Sequence, residues 1–214
     1  MEELELKNEV IKGSLEIVKE FIKKIIPYEQ IGGLISDQFG YLRMKNLVKI
    51  IEKTDKYLKA YNIKPQAIEL KKLYPLINYA SLEENDSLVE KWSILLTNSI
   101  NPKKSKDIIP VYSEILNQLT PFEINFLDKF YDESIKIIGK EGASGGGYTG
   151  RNEIMSEFKI SEEECEIFVD NLTRLYLLQN TAGSYTFNKS NYRINNELML
   201  TKLGLSFIKA CRIK

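Results

Sequence analysis

The sequence predicts a mainly α protein: an N-terminal helical bundle over residues 1–119, then a C-terminal winged-helix-like α+β domain over 120–214 with a small β-hairpin. Three observations carry this. Apolar residues recur every three or four positions through most of the first part, the period of a helix face. From Thr120 the order becomes helix, short helix, long helix, two strands around a turn, and helix, the order of a winged helix-turn-helix. Between them, Ser81 to Tyr131 holds two helix starts, the only tryptophan and the expected joint.

Leu6, Val10, Ile11, Leu15, Ile17, Val18, Phe21, Ile22 and Ile25 predict a long amphipathic helix over Leu4 to Ile26, interrupted by Gly13 and ended or kinked by Pro27. Ile31 to Phe39, with Gly32 and Gly33, reads as a packing corner, with a short inserted segment as the alternative. A helix over Gln38 to Tyr61 follows, its buried stripe made by Leu47, Ile51 and Leu58 beside Met44 and Val48. Pro65 is expected to start the next, with Ile68, Leu70, Leu73, Leu76 and Ile77 apolar and a kink at Pro75.

Ser81 precedes Glu84 by three residues, and Thr120 precedes Glu123 by three with Pro121 at the first helical position. Both read as capping boxes, in which hydroxyl and carboxylate satisfy orphan backbone donors. Behind the first, Leu88, Trp92, Leu95, Leu96 and Ser99 share a helix face, so Trp92 is expected to be a buried anchor. Asn101 to Pro110 is a proline-bounded connector, and Val111 to Leu119 a short helix. The helix from Thr120 runs to Ile138 and meets a glycine-rich loop, Gly139 to Gly150, expected to be flexible. Arg151 to Phe158 is a short helix. Ser161 and Glu164 make a third capping box, opening a helix with the seam Cys165, Phe168, Val169, Leu172, Leu175 and Tyr176. Ser184 to Phe187 and Tyr192 to Asn195 flank a turn at Asn188 to Asn191, Leu198 to Leu200 is extended, and Lys202 to Ile213 is the final helix.

Composition narrows the chemistry. The 43% hydrophobic and 28% charged content suits a folded soluble chain. With 30 basic and 30 acidic residues there is no global field, so binding to nucleic acid or an anionic surface requires a local patch. The chain has no histidine, which removes Ser-His and Cys-His pairs, imidazole metal ligands and HExxH proteases. Cys165 and Cys211 lack metal-ligand spacing and are expected to pack as small apolar residues in a reducing compartment. No apolar run has the length of a membrane span or the pattern of a signal peptide, and the expected location is the cytoplasm.

Gly145, Gly147 and Gly150 satisfy GxGxxG, but they follow a polar loop instead of a buried strand, so the match is attributed to chance. Glu162, Glu163, Glu164 and Glu166 crowd a helix start, where acids complement the dipole, and no metal is expected there. No catalytic residue, cofactor or metal ligand is assigned. The one candidate binding surface is Lys45, Lys49, Lys53 and Lys56, at i, i+4, i+8 and i+11 of one helix, with a merely solvated face as the alternative. From Thr120 onwards there are 13 acidic and 12 basic residues, so the second domain is not expected to bind DNA.

Leu82, Glu83, Glu84, Asp86, Leu88, Trp92, Leu95, Leu96, Asn98 and Pro102 form an acidic helix start, a Trp, a Leu-Leu-x-Asn run and a Pro. Ile115, Leu116, Leu119, Thr120, Pro121 and Leu127 form a later Leu-Thr-Pro segment. This pattern resembles the Abi-alpha (abortive infection alpha) family of bacterial proteins, and the similarity extends upstream through Tyr41-Leu42-Arg43-Met44-Lys45-Asn46 to about Gly33. The resemblance implies phage defence by host growth arrest or death, and supplies no catalytic site. Glu83, Glu84, Trp92, Leu95, Leu96, Asn98, Pro102 and Pro121 read as packing and capping positions. The expectation is a non-enzymatic interaction protein with a phage or host protein partner or a second copy of itself. The alternatives are a winged-helix transcription regulator and a peripheral membrane effector using the lysine face.

Overall fold

The computed structural model describes residues 13, 16–18, 20–25, 41–138, 149–180 and 197–213. The chain divides into two compact units, Met1–Pro121 with Ala210–Lys214, and Phe122–Lys209. It is mainly helical, with a small antiparallel sheet.

In the first unit the described N-terminal residues are helical and bury Val18, Phe21, Ile22 and Ile25. Ile17, assigned to the apolar face by its spacing, is exposed. Most of the expected helix before it, and the corner around Gly32 and Gly33, lie outside the described residues. Helix α1 spans Tyr41–Ala60 and turns Met44, Leu47, Ile50, Ile51 and Leu58 inward. Asn62, at φ 49°, takes the left-handed conformation just past its end, one of the few non-glycine residues that tolerate it.

The next helix does not begin at Pro65. Residues 63–69 are non-helical, because Gln66 N–H donates to the Ile100 carbonyl (2.9 Å) and Ile68 N–H to the Ile25 carbonyl (3.0 Å). Tertiary backbone pairing has displaced the local preference. Helix α2 spans Leu70–Ala80 with Pro75 inside, burying Leu73, Leu76 and Ile77 while Leu70 faces out.

Helix α3, Asp86–Ile100, is the axis of this unit and packs against α1 and α2. Every residue from Trp92 to Ile100 is buried, so its second half is covered all round and its polar side chains must bond internally. Ser93, Thr97 and Ser99 do so by donating to the carbonyls of Val89, Ser93 and Leu95 at 2.7 to 2.8 Å. The capping box expected at Ser81 and Glu84 does not form. Asn85 caps α3, its Oδ1 accepting from Ser87 N–H (3.0 Å) and Leu88 N–H (3.3 Å), whereas Ser81 ends α2. A short 3-10 turn, Ser105–Asp107, lies in the connector, and α4 covers Val111–Leu116, stopping short of Leu119.

In the second unit, α5 spans Pro121–Ile138 and begins at the expected proline. Its Phe122 and Phe126 meet Phe158 and Phe168, with ring centroids 4.7 to 5.8 Å apart. Strand β1, Thr149–Gly150, leads into α6, Arg151–Phe158, and α7, Glu162–Arg174. Strands β2, Leu178–Asn180, and β3, Glu197–Leu200, precede α8, Lys202–Ala210. The sheet order is β1-β3-β2, all antiparallel, with Thr149 opposite Leu198 and Leu178 opposite Leu200. Thr149 and Gly150 therefore belong to the sheet and not to a loop, while the rest of the glycine-rich stretch lies outside the described residues. So do the strands expected at 184–187 and 192–195. Gly150 pairs antiparallel with Glu197, so its strand is not the parallel one a dinucleotide motif requires.

The Ser161 box is present in both directions. Glu164 N–H donates to Ser161 Oγ (3.2 Å), and Ser161 N–H donates to Glu164 Oε2 (2.8 Å). The backbone bond first, and the hydroxyl bond second, hold the Glu164 carboxyl below its ordinary value. Because the folded value is the lower one, the cap's contribution is present above the unfolded-chain value and is lost as pH falls through the folded one. Ser161→Ala is expected to move the Glu164 titration upwards, as read by side-chain carbon NMR, because it removes the hydroxyl bond and loosens the turn.

Tyr176, assigned to the seam of α7, is 62% exposed at φ 57°. Past it Leu177 N–H donates back to the Leu172 carbonyl (2.9 Å), closing the end of α7, and the Tyr176 carbonyl accepts from Thr201 Oγ1. The same Thr201 oxygen accepts from Gly204 N–H (2.9 Å), capping α8. This brings α8 so close to the preceding segment that a Cβ on Gly204 would lie 2.2 Å from the Leu177 carbonyl oxygen. Gly204→Ala is expected to cost about 1 to 3 kcal/mol through forced backbone displacement, measured as a lowered denaturation midpoint.

Candidate functional site

The residues of the Trp92 segment turn inward. Trp92 is 1% exposed, Leu95 and Leu96 are buried beside it, and the indole Nε1 has no hydrogen-bond partner among the described residues. Asn98, also 1% exposed, holds the end of the chain. Its Nδ2 donates to the Ala210 carbonyl (2.8 Å) and the Arg212 carbonyl (3.1 Å). Lys91 Nζ reaches the Cys211 carbonyl at 3.4 Å. Ala210, with the residues after it, belongs to the first unit, and Asn98 supplies its carbonyl with a donor from more than a hundred residues earlier in sequence.

Glu83 Oε1 accepts from Glu84 N–H (3.1 Å) and Asn85 N–H (2.9 Å), shaping the turn into α3, while Glu84 faces outward. Pro102 lies exposed in the turn past α3, where the Asn101 side chain accepts from Lys103 N–H (3.0 Å). Pro121 opens α5. Arg43, which carried no assignment beyond the resemblance, donates from Nε to Ser81 Oγ (2.8 Å) and from Nη2 to Asn78 Oδ1 (2.8 Å). Asn46 Nδ2 adds a bond to the Ser81 carbonyl (3.2 Å). Polar residues at i and i+3, Arg43 and Asn46, beside the apolar Met44, Leu47 and Ile50 were the signal available for this clamp.

The lysine face differs from its sequence reading by one residue at each side. Lys45, Lys49 and Lys56 are exposed, but Lys53 is half-buried and bonds Glu90 at 2.6 Å. Lys59 is exposed and takes its place. At 3.6 residues per turn, Lys59 falls about 40° from Lys45, whereas Lys53 is rotated by about 80°, so the angles alone distinguish them. The row is then Lys45, Lys49, Lys56 and Lys59, with the exposed Glu52 inside it and Leu42, 61% exposed, at one end. Such a face can attract an anionic partner and supplies one apolar contact to it.

Among the described residues, no helix is long and apolar enough to cross a membrane. A family model described as "Abortive infection alpha" matches residues 42–211. No curated protein and no solved structure matches the chain.

Proposed function

The chain belongs to the abortive infection alpha family, and from that premise we propose that it serves bacterial phage defence as a non-enzymatic interaction protein, with the lysine row of α1 as its contact surface. One observation carries the reading. The side chains of the Trp92 segment are taken up by packing and backbone bonding, while Lys45, Lys49, Lys56 and Lys59 of α1 stand outward without an ion pair among the described residues. Exposed charge of one sign steers association and discriminates partners more than it stabilises the fold.

The second unit is proposed to be a winged helix. In its favour, helix, strand, two helices and two strands follow in that order, with β1 paired to β3. On that reading α7 is the nominal recognition helix. Its first turn presents Glu162, Glu163 and Glu164, all exposed, which oppose a phosphate backbone and suit a protein contact.

Plaque counts on expressing and non-expressing bacteria test the defence role. Fewer plaques on expressing cells are expected, and equal plating across a broad phage panel with soluble protein present would remove it. Replacing Lys45, Lys49, Lys56 and Lys59 with Gln is expected to leave the melting temperature nearly unchanged, because exposed charges contribute little to folding. Salt-sensitive partner recovery should be lost.

A further inference from the structure

The α1 lysine row has a complement on the same chain, and we infer that a second copy docks onto it with the outward face of α7. The inference rests on the proposed use of α1 as a contact surface and names its occupant. Along α7, Glu163, Ile167, Asp170 and Arg174 fall within about 60° of arc. All four are exposed, Ile167 by 65%. Each face thus carries charges of one predominant sign, one uncovered aliphatic side chain, and one residue of the opposite sign: Glu52 in the lysine row, Arg174 on α7.

That pattern separates a protein from other anionic occupants. A lipid surface or a nucleic acid backbone is uniformly negative, and Glu52, about 20° from Lys45 within the row, repels it. A helix face with acids and one arginine can meet both signs. The 30 basic and 30 acidic residues leave two copies without net repulsion, so local patches decide the encounter. Because the two faces are different surfaces, each copy offers one of each, and the contact closes either reciprocally in a two-fold dimer or head to tail in a ring or chain.

Sedimentation velocity of the full chain tests this. At low ionic strength the sedimentation coefficient is expected to rise with concentration, and the rise should disappear above about 0.5 M salt, where exposed charges are screened. A Lys49→Glu, Lys56→Glu variant and a Glu163→Lys, Asp170→Lys variant, each with an unchanged circular dichroism spectrum, should both sediment as monomers. Their equimolar mixture should recover the faster species, since it offers one unaltered and one charge-inverted pair of faces. A monomeric wild type at low salt, or association persisting in both variants, overturns the inference. A monomeric wild type that still protects cells removes the second copy and leaves the defence reading intact. A chain that assembles in this way without protecting them supports the contact and removes the defence reading.

Discussion

Trp92→Ala is expected to cost about 3 to 5 kcal/mol, because truncating a fully buried aromatic leaves a cavity that rigid neighbours fill only in part. Domains are stable by about 5 to 15 kcal/mol, so the melting temperature, the soluble yield and any activity should fall together. Trp92 stands where α3 becomes buried on every side, beside Leu95 and Leu96. Trp92→Phe separates packing from polarity. The indole N–H has no partner among the described residues, so removing it forfeits no hydrogen bond and relieves a desolvated donor. The phenylalanine variant should therefore remain folded and melt well above the alanine variant. A stable, folded, inactive Trp92→Ala protein would instead assign the indole to a binding surface.

Asn98→Ala is expected to cost about 2 to 4 kcal/mol, since it strips the donor from the buried Ala210 carbonyl, worth about 1 to 3 kcal/mol when left without it, and from the half-buried Arg212 carbonyl, worth about 1 kcal/mol. The loss should be local as well as global. Hydrogen exchange should accelerate around Ala210 and Arg212, whose carbonyls the Asn98 amide holds. Asn98→Asp should be worse than alanine at neutral pH, because a carboxylate offers no donor and places negative charge against two carbonyl oxygens. Unchanged exchange at the C-terminus in either variant would deny Asn98 its holding role.

Helix periodicity locates α1, the core of α3, α5 and α7, because burial of one face is a local signal that survives folding. The Ser161 box is legible for the same reason, its partners lying three residues apart. The box expected at Ser81 fails because its hydroxyl is engaged elsewhere: it donates to the Asn78 carbonyl (2.7 Å) and accepts from Arg43, contacts that no local pattern announces. The non-helical run before α2 depends on the Ile25 and Ile100 carbonyls, and the role of Asn98 depends on residues 112 and 114 positions away. Gly204 has the local pattern of an ordinary helix residue, and only the approach of Leu177 sets it apart. For the lysine face the information is present in the helical angles, and four-residue spacing alone selects Lys53 over Lys59.

The measurement that reaches the central claim most directly is phage plating on cells expressing the wild type or the Lys45, Lys49, Lys56 and Lys59 to Gln variant, at matched soluble levels and matched melting temperatures. Defence through the α1 face predicts that the wild type lowers plaque counts and the variant plates like non-expressing cells. Protection by the variant equal to that of the wild type would contradict it and move the working surface elsewhere on the chain.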